Sequence, residues 1–423
     1  MGPLLCSNSM DQIGKKSMKT GENLYVYKNE VKVPPLAMVD DLIAVSKCGN
    51  NSLDTNIMIN TEIDMKNLRL DTPKLNGTSK CHAIHVGKRC VGEHDLKVNG
   101  WPMELVRTDS YLGDILSYNG KIDSTISERV SKGMGLVSQI FDVLKDISWG
   151  SYYFIAALTL REAILINGML YNSEVWYGLK QVNIDKLERI DSIFFNKLFR
   201  VTSSCPREAF YLETGAIPFR LIIRSRRLKY LHHLVTRSDT ELLSQIFYAQ
   251  WRNPLKNDWV ENVKDDLRYF DLNTDLLWIK TTSKNKFKKL VNEKLRSIAW
   301  VELNDRKSEH ENISNLKYLS LGIQKYLTDK SLSKNQVQLL FKSRNRMTIY
   351  WENYKGWKLK RTCPLCNEAD KLDTQLHSFS CAEILKTIKI DGIRFSDIYS
   401  DNISLQLAKT IEKIEVYREN KLK

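Results

Sequence analysis

A chain of 423 residues has room for two to four domains and for sizeable buried cores. With 42% hydrophobic and 27% charged residues and a mean hydropathy of −0.36, the composition is that of an ordinary soluble protein. The formal net charge of +14 and a pI of about 9.2 point to a polyanionic partner, with nucleic acid the default. The most apolar stretch, Tyr152 to Leu170, is interrupted by Arg161 and Glu162 and does not read as a membrane span. No basic segment followed by a long apolar core opens the chain, so no signal peptide is expected. Eight cysteines in so long a chain do not form a disulfide framework. They are expected to be reduced, in the nucleus or cytoplasm, with no secretion and no membrane partner.

In chain order, Leu24-Tyr25-Val26-Tyr27 with Val31 and Val33 reads as strand. Pro34-Pro35 excludes helix and suits entry to an edge or hairpin strand. Two apolar, β-prone runs, Leu36 to Val39 and Leu42 to Val45, flank Asp40-Asp41 and predict a hairpin with both acids at its tip. Ser52 to Leu70 carries apolar residues at helical spacing. Lys80 to Lys88, Met103 to Val106 and Tyr111 to Leu116 read as short strands, the last containing Gly113. The first ~120 residues therefore predict an α+β region with an antiparallel sheet. From about residue 121 the pattern turns helical. Expected helices are Asp123 to Leu144, a long apolar one from Tyr152 to Leu179, and one capped by Asn183 that carries Leu187, Ile190, Phe194 and Leu198. Others start at Pro206 and run from Pro218 to Arg237, then over 239–252, 255–270, 283–303 and 332–346.

Three constellations carry chemistry. Adjacent carboxylates resist ionising together unless a cation neutralises them. Asp40 and Asp41 therefore suggest a Mg²⁺ site for phosphoryl chemistry, although an exposed turn would look the same. Cys363, Cys366, His377 and Cys381 form C-x2-C-x10-H-x3-C. Paired thiolates followed by a helical turn, with His377 and Cys381 at i and i+4, supply the four ligands of a closed structural Zn²⁺ site. Three neighbouring reduced cysteines are the alternative. Between 220 and 237 lies the strongest basic run, and on a helix Arg220, Arg224 and Arg227 share a face suited to tracking phosphates. A solvated surface is the alternative there.

The order of these pieces resembles the reverse transcriptases of non-LTR (LINE-type) retrotransposons. Met38-Val39-Asp40-Asp41 resembles their Tyr/Phe-x-Asp-Asp palm box, with Met38 in place of the aromatic. Gly2-Pro3-Leu4 and Ser9-Met10-Asp11 resemble the loop and helix that precede the box. Lys80-Cys81-His82-Ala83-Ile84-His85 looks like the next palm motif, and Tyr111-Leu112-Gly113 is similar to the primer-grip hairpin. Leu339 to Met347, followed by Cys363-Pro364-Leu365-Cys366 and Asp373 to His377, looks like the family's C-terminal Cys/His knuckle. The resemblance implies an α+β chain with a partial palm over 1–120 and a helical thumb over 121–237. A helical connector over 238–350, a zinc knuckle over 351–390 and a helical tail over 391–423 would follow. It implies RNA-directed DNA synthesis, with an RNA template and DNA primer as partners. Asp40 and Asp41 would hold Mg²⁺, and Lys80 would neutralise or protonate the leaving pyrophosphate. Tyr111, Leu112 and Gly113 would position the primer end, and Arg220, Arg224 and Arg227 would follow template–primer phosphates. The family's fingers and a third palm carboxylate stand before the point where the resemblance starts. The chain by itself is thus expected not to polymerise. The alternative is a non-catalytic, zinc-bearing nucleic-acid-binding protein derived from such an element.

Overall fold

The computed structural model describes residues 25–423 apart from 29, 39–40, 47–55, 57–58, 60–80, 87–95, 99–100, 148–149, 312, 315, 317, 319, 354–360, 391, 401–402 and 423. The protein is mixed α/β and mostly helical, with few short strands. Its contacts fall into two compact units that interleave along the chain. One comprises 1–128, 172–180 and 226–288, the other 129–171, 181–225 and 289–423. This grouping is coarser than five consecutive segments and cuts across them.

The first unit holds the strands. Among the described residues they form five separate two-stranded ladders rather than one antiparallel sheet. Tyr25–Tyr27 pairs antiparallel with Val31–Val33, and Leu36–Met38 with Asp41–Ile43. His82–Ala83 runs parallel to Glu104–Leu105, the one parallel pair among them. The stretch read as a single strand from Tyr111 to Leu116 is instead a hairpin, Thr108–Tyr111 against Asp114–Ser117. Leu112 and Gly113 both take positive φ, 48° and 83°. A two-residue hairpin of matching twist needs that pair of conformations. Glycine adopts it freely, whereas Leu112 does so at a steric cost. Asn172 holds the turn, its Nδ2 donating to the Leu112 carbonyl at 3.4 Å and to Asp114 Oδ2 at 2.9 Å.

Two helices of this unit are begun by aspartate caps, the second of them outside the helices expected from the sequence. Asp258 accepts from the Glu261 amide ahead of Trp259–Tyr269, and Asp275 from the Leu277 amide ahead of Leu276–Thr281. Their interior contains Trp176, Val260, Val263 and Leu267, all 0% exposed.

The second unit is helical. Its expected long helix ends early. Gly150–Leu160 passes into a π-helical stretch, Arg161–Ile166, and a last turn, Asn167–Met169, with left-handed Asn172 closing the segment. The π stretch accompanies a buried charge. Arg161 is 2% exposed and donates from Nε and Nη2 to Asp191 at 2.7 and 2.6 Å, with the Ile217 carbonyl at 3.1 Å. The following helix is Gln181–Phe199, so Asn183 lies inside it, 2% exposed, and does not cap it. An aromatic stack fills the centre. Phe199 lies on Phe341 with centroids 3.8 Å apart, Phe154 on Phe199 at 5.6 Å, and Phe195 on Phe210 at 5.2 Å. Ser333 opens the helix Lys334–Arg344 with a full capping box to Gln336. That helix buries Phe341 and Arg344, and its C-cap Asn345 is buried as well, so these residues of the 339–347 motif belong to the core.

Candidate metal centre

Cys363 and Cys366 sit on a small loop closed by backbone bonds. The Cys363 amide donates to the Lys371 carbonyl at 2.7 Å, and the Asp373 amide to the Arg361 carbonyl at 3.0 Å. Thr362 and Leu372 form a bridge between these two bonds. Asn367, at φ 53°, turns the chain back and donates its amide to the Cys363 carbonyl at 2.9 Å. Thr374 then caps a one-turn helix, Gln375–Ser378, by accepting from the His377 amide. The chain turns again, and Cys381 stands at the N-cap of Ala382–Leu385. His377 and Cys381 therefore approach across a turn between two short helices, not along one helix face.

The four donor atoms lie within 4.8 Å of one another. Cys363 Sγ is 3.9 Å from Cys381 Sγ, and Cys366 Sγ is 3.4 Å from His377 Nε2. A disulfide needs sulfurs near 2 Å, so these thiols are free. Tetrahedral Zn²⁺ with Zn–S near 2.3 Å and Zn–N near 2.1 Å places ligand atoms about 3.6–3.8 Å apart, and the observed spacings bracket that range. Burial, ahead of all charge effects, holds His377 below its ordinary pKa, which favours the neutral, ligating imidazole. The cluster can bind a metal and is consistent with zinc. With all four positions protein-supplied, such a site is structural rather than catalytic. Its surroundings are a small apolar cluster, with Cys363, Cys381, Ile384, Ile388 and Ile414 buried and Phe379 and Tyr417 packed against them.

Arg418, in the helix Leu405–Leu422, pairs with Asp373 at 2.9 Å and lies 4.1 Å from the Tyr350 ring centroid. This tie to the loop between the ligand pairs had no sequence signal, because the partners stand 45 residues apart.

The other expected site residues fare differently. Asp40, Lys80 and the segment 2–13 lie outside the described residues. Met38 stands opposite Asp41 in an antiparallel pair, so Asp41 opens the second strand of the hairpin instead of standing at its tip as expected, and it is exposed. Tyr111 is within electrostatic reach of Asp41. Burial first, and that carboxylate second, raise its phenol above the ordinary value. Asp41 belongs to no group of three metal donors among the described residues, so Mg²⁺ has no demonstrated seat. Arg220 and Arg227 do not line a free phosphate-tracking face. Arg220 bonds Glu188 at 3.1 Å and Glu302 at 2.9 Å. Arg227, 6% exposed, grips Asp266 at 2.6 and 3.0 Å and the Trp176 carbonyl at 3.3 Å. Alternating ion pairs of this kind satisfy each guanidinium internally. Arg224 is half-buried. His232 is likewise a packing residue, its Nε2 2.8 Å from the Thr282 carbonyl and its ring 4.9 Å from Phe287.

Among the described residues no helix is long and apolar enough to cross a membrane. A comparison with protein-family models finds no match for this chain, and a comparison with curated proteins finds none either.

Proposed function

We propose that this chain is the C-terminal portion of a non-LTR retrotransposon reverse transcriptase, and that its own role is to bind nucleic acid with the help of a zinc-ordered C-terminal module. The observation that carries the reading is the Cys363, Cys366, His377, Cys381 tetrad, whose spacings suit tetrahedral Zn²⁺ in a chain of net charge +14. The palm assignment is supported by the proximity of Asp41 and Tyr111, which belong to the box-like and primer-grip-like segments. In this reading Asp40 and Asp41 contribute to a Mg²⁺ site, and RNA template and DNA primer are the ligands.

The test is fluorescence anisotropy of the zinc-loaded chain with a labelled 20-nucleotide RNA and with an RNA–DNA hybrid bearing a recessed primer. Binding is expected to weaken on the order of a hundredfold between 50 and 200 mM salt, as about four phosphate contacts require. Absent or salt-independent binding would overturn the proposal. Primer extension with Mg²⁺, lost on Asp41→Asn, would assign catalysis to this chain. Binding without extension would confine it to nucleic-acid contact.

A further inference from the structure

Three helices of the second unit, Gly150–Leu160, Gln181–Phe199 and Lys334–Arg344, meet over the stacked rings of Phe154, Phe199 and Phe341. Gln338 Nε2 adds a bond to the Leu198 carbonyl at 2.8 Å, which fixes the end of the middle helix. The residues emerging from this junction are cationic. Arg200 follows the middle helix directly, in a left-handed conformation at φ 53°, and is exposed. Lys334 begins the third helix, with Nζ 3.4 Å from the Tyr153 ring centroid. Lys330 Nζ lies 5.9 Å from the ring centroid of Tyr152, which is 50% exposed.

These cations repel one another. Burial and then the Arg200 charge both push Lys334 below its ordinary pKa, and the same two causes in the same order act on Lys342. Glu415 and Glu419 partly offset this at Lys342. Among the described residues no carboxylate lies within ion-pair distance of Arg200, Lys330 or Lys334. A solvated surface lysine normally moves away from like charge. Here the aromatic stack, the capping box at Ser333 and the ring of Tyr153 hold the groups in place. A cluster of positive charge that is uncompensated at Arg200 and Lys334 and only partly offset at Lys342 is a site for a polyanion, and an exposed aromatic ring beside it is what unpaired bases stack on.

We propose that Arg200, Lys334 and Lys342, with Tyr152 at the margin, form a binding surface for the backbone of single-stranded nucleic acid, made of residues other than the Cys/His ligands. The assignment rests on the nucleic-acid reading above and gives it a location. The phosphates lie against the three cations and a base stacks on Tyr152.

The experiment compares two triple variants of the full zinc-loaded chain, equal in charge removed. One is Arg200→Gln, Lys334→Gln, Lys342→Gln. The other is Lys289→Gln, Arg296→Gln, Arg394→Gln, exposed cations elsewhere in the same unit. Anisotropy is read with a labelled single-stranded 20-mer across a salt series. The first triple is expected to weaken binding on the order of tenfold or more and to flatten the log–log salt slope by about 2, from about 0.7 per phosphate lost. The second is expected to change affinity less than about threefold. Tyr152→Ala should weaken binding by roughly tenfold with the slope unchanged. The charge-preserving set Arg200→Lys, Lys334→Arg, Lys342→Arg should retain binding, which separates charge from folding. Equal losses in both triples, no loss in the first, or loss in the charge-preserving set would overturn the assignment. So would an effect of the first triple on phosphatidylserine vesicle binding alone. A wild-type chain that binds no oligonucleotide would instead overturn the nucleic-acid reading itself.

Discussion

Asp191 is 0% exposed and accepts from Arg161 Nε and Nη2 and from the Tyr211 hydroxyl at 2.9 Å. Burial opposes the Arg161 charge, yet the Asp191 carboxylate outweighs it and holds the guanidinium above its ordinary pKa. Removing the acid would leave a guanidinium buried with one remaining carbonyl partner. Asp191→Ala is therefore expected to cost about 3–5 kcal/mol, measured as a lower urea midpoint. Glu415 presents the opposite case. Burial, the largest influence, raises its carboxyl above the ordinary 4.5. A raised folded pKa means the folded state binds the proton more tightly than the unfolded state does. Its contribution is fully present below pH 4.5 and fades as the pH rises through the folded value. Glu415→Gln should accordingly raise the thermal midpoint at pH 7 and change it little at pH 4. A larger gain at pH 4 than at pH 7 would refute this. Neither Asp191 nor Glu415 stands out in the sequence, where each is one acid on an amphipathic helix.

At the scale of elements, two helical glycines have opposite roles. A Cβ on Gly150 would lie 2.2 Å from the Leu332 carbonyl oxygen and 2.8 Å from the Ser333 carbonyl carbon, backbone atoms that cannot give way cheaply. Gly135, within Asp123–Leu144, has nothing within 4 Å of that position. Gly150→Ala should lower stability by about 1–3 kcal/mol through overpacking. Gly135→Ala should raise it by up to about 1 kcal/mol through helix propensity. Calorimetric midpoints of both variants moving the same way would contradict the packing account. The Gly150 contact also sets the start of its helix against the turn that precedes Lys334, so the variant should weaken oligonucleotide binding as well.

At the scale of the molecule, the Cys/His module has a small buried cluster, five residues among those described. A segment of that size relies on its ligands for order. A high-affinity chelator is expected to remove hydrogen-exchange protection from 361–390 while most of the far-UV helical signal remains, because the aromatic core of the second unit is built without it. Cys381→Ser should reproduce this at ambient zinc. Complete loss of helicity on chelation would show the module to be integral to the larger core.

Sequence alone determined the features set by local chemistry. The helix start at Pro206, the pairing of Leu36–Met38 with Asp41–Ile43, and the ligand tetrad at 363–381 follow from turn chemistry, alternation and spacing over a few residues, whereas the caps at Asp258, Asp275 and Ser333 are not among the features expected from the sequence. Tertiary structure decided which charges are free. The run from Arg220 to Arg227 reads as a basic face, yet its partners Glu188, Glu302 and Asp266 come from 32, 82 and 39 residues away. Arg200 and Lys334 carry no motif and are brought together by packing across 134 positions of chain. A charge is free or satisfied according to what lies within a few ångströms of it. Periodicity reports only which face of its own helix it occupies.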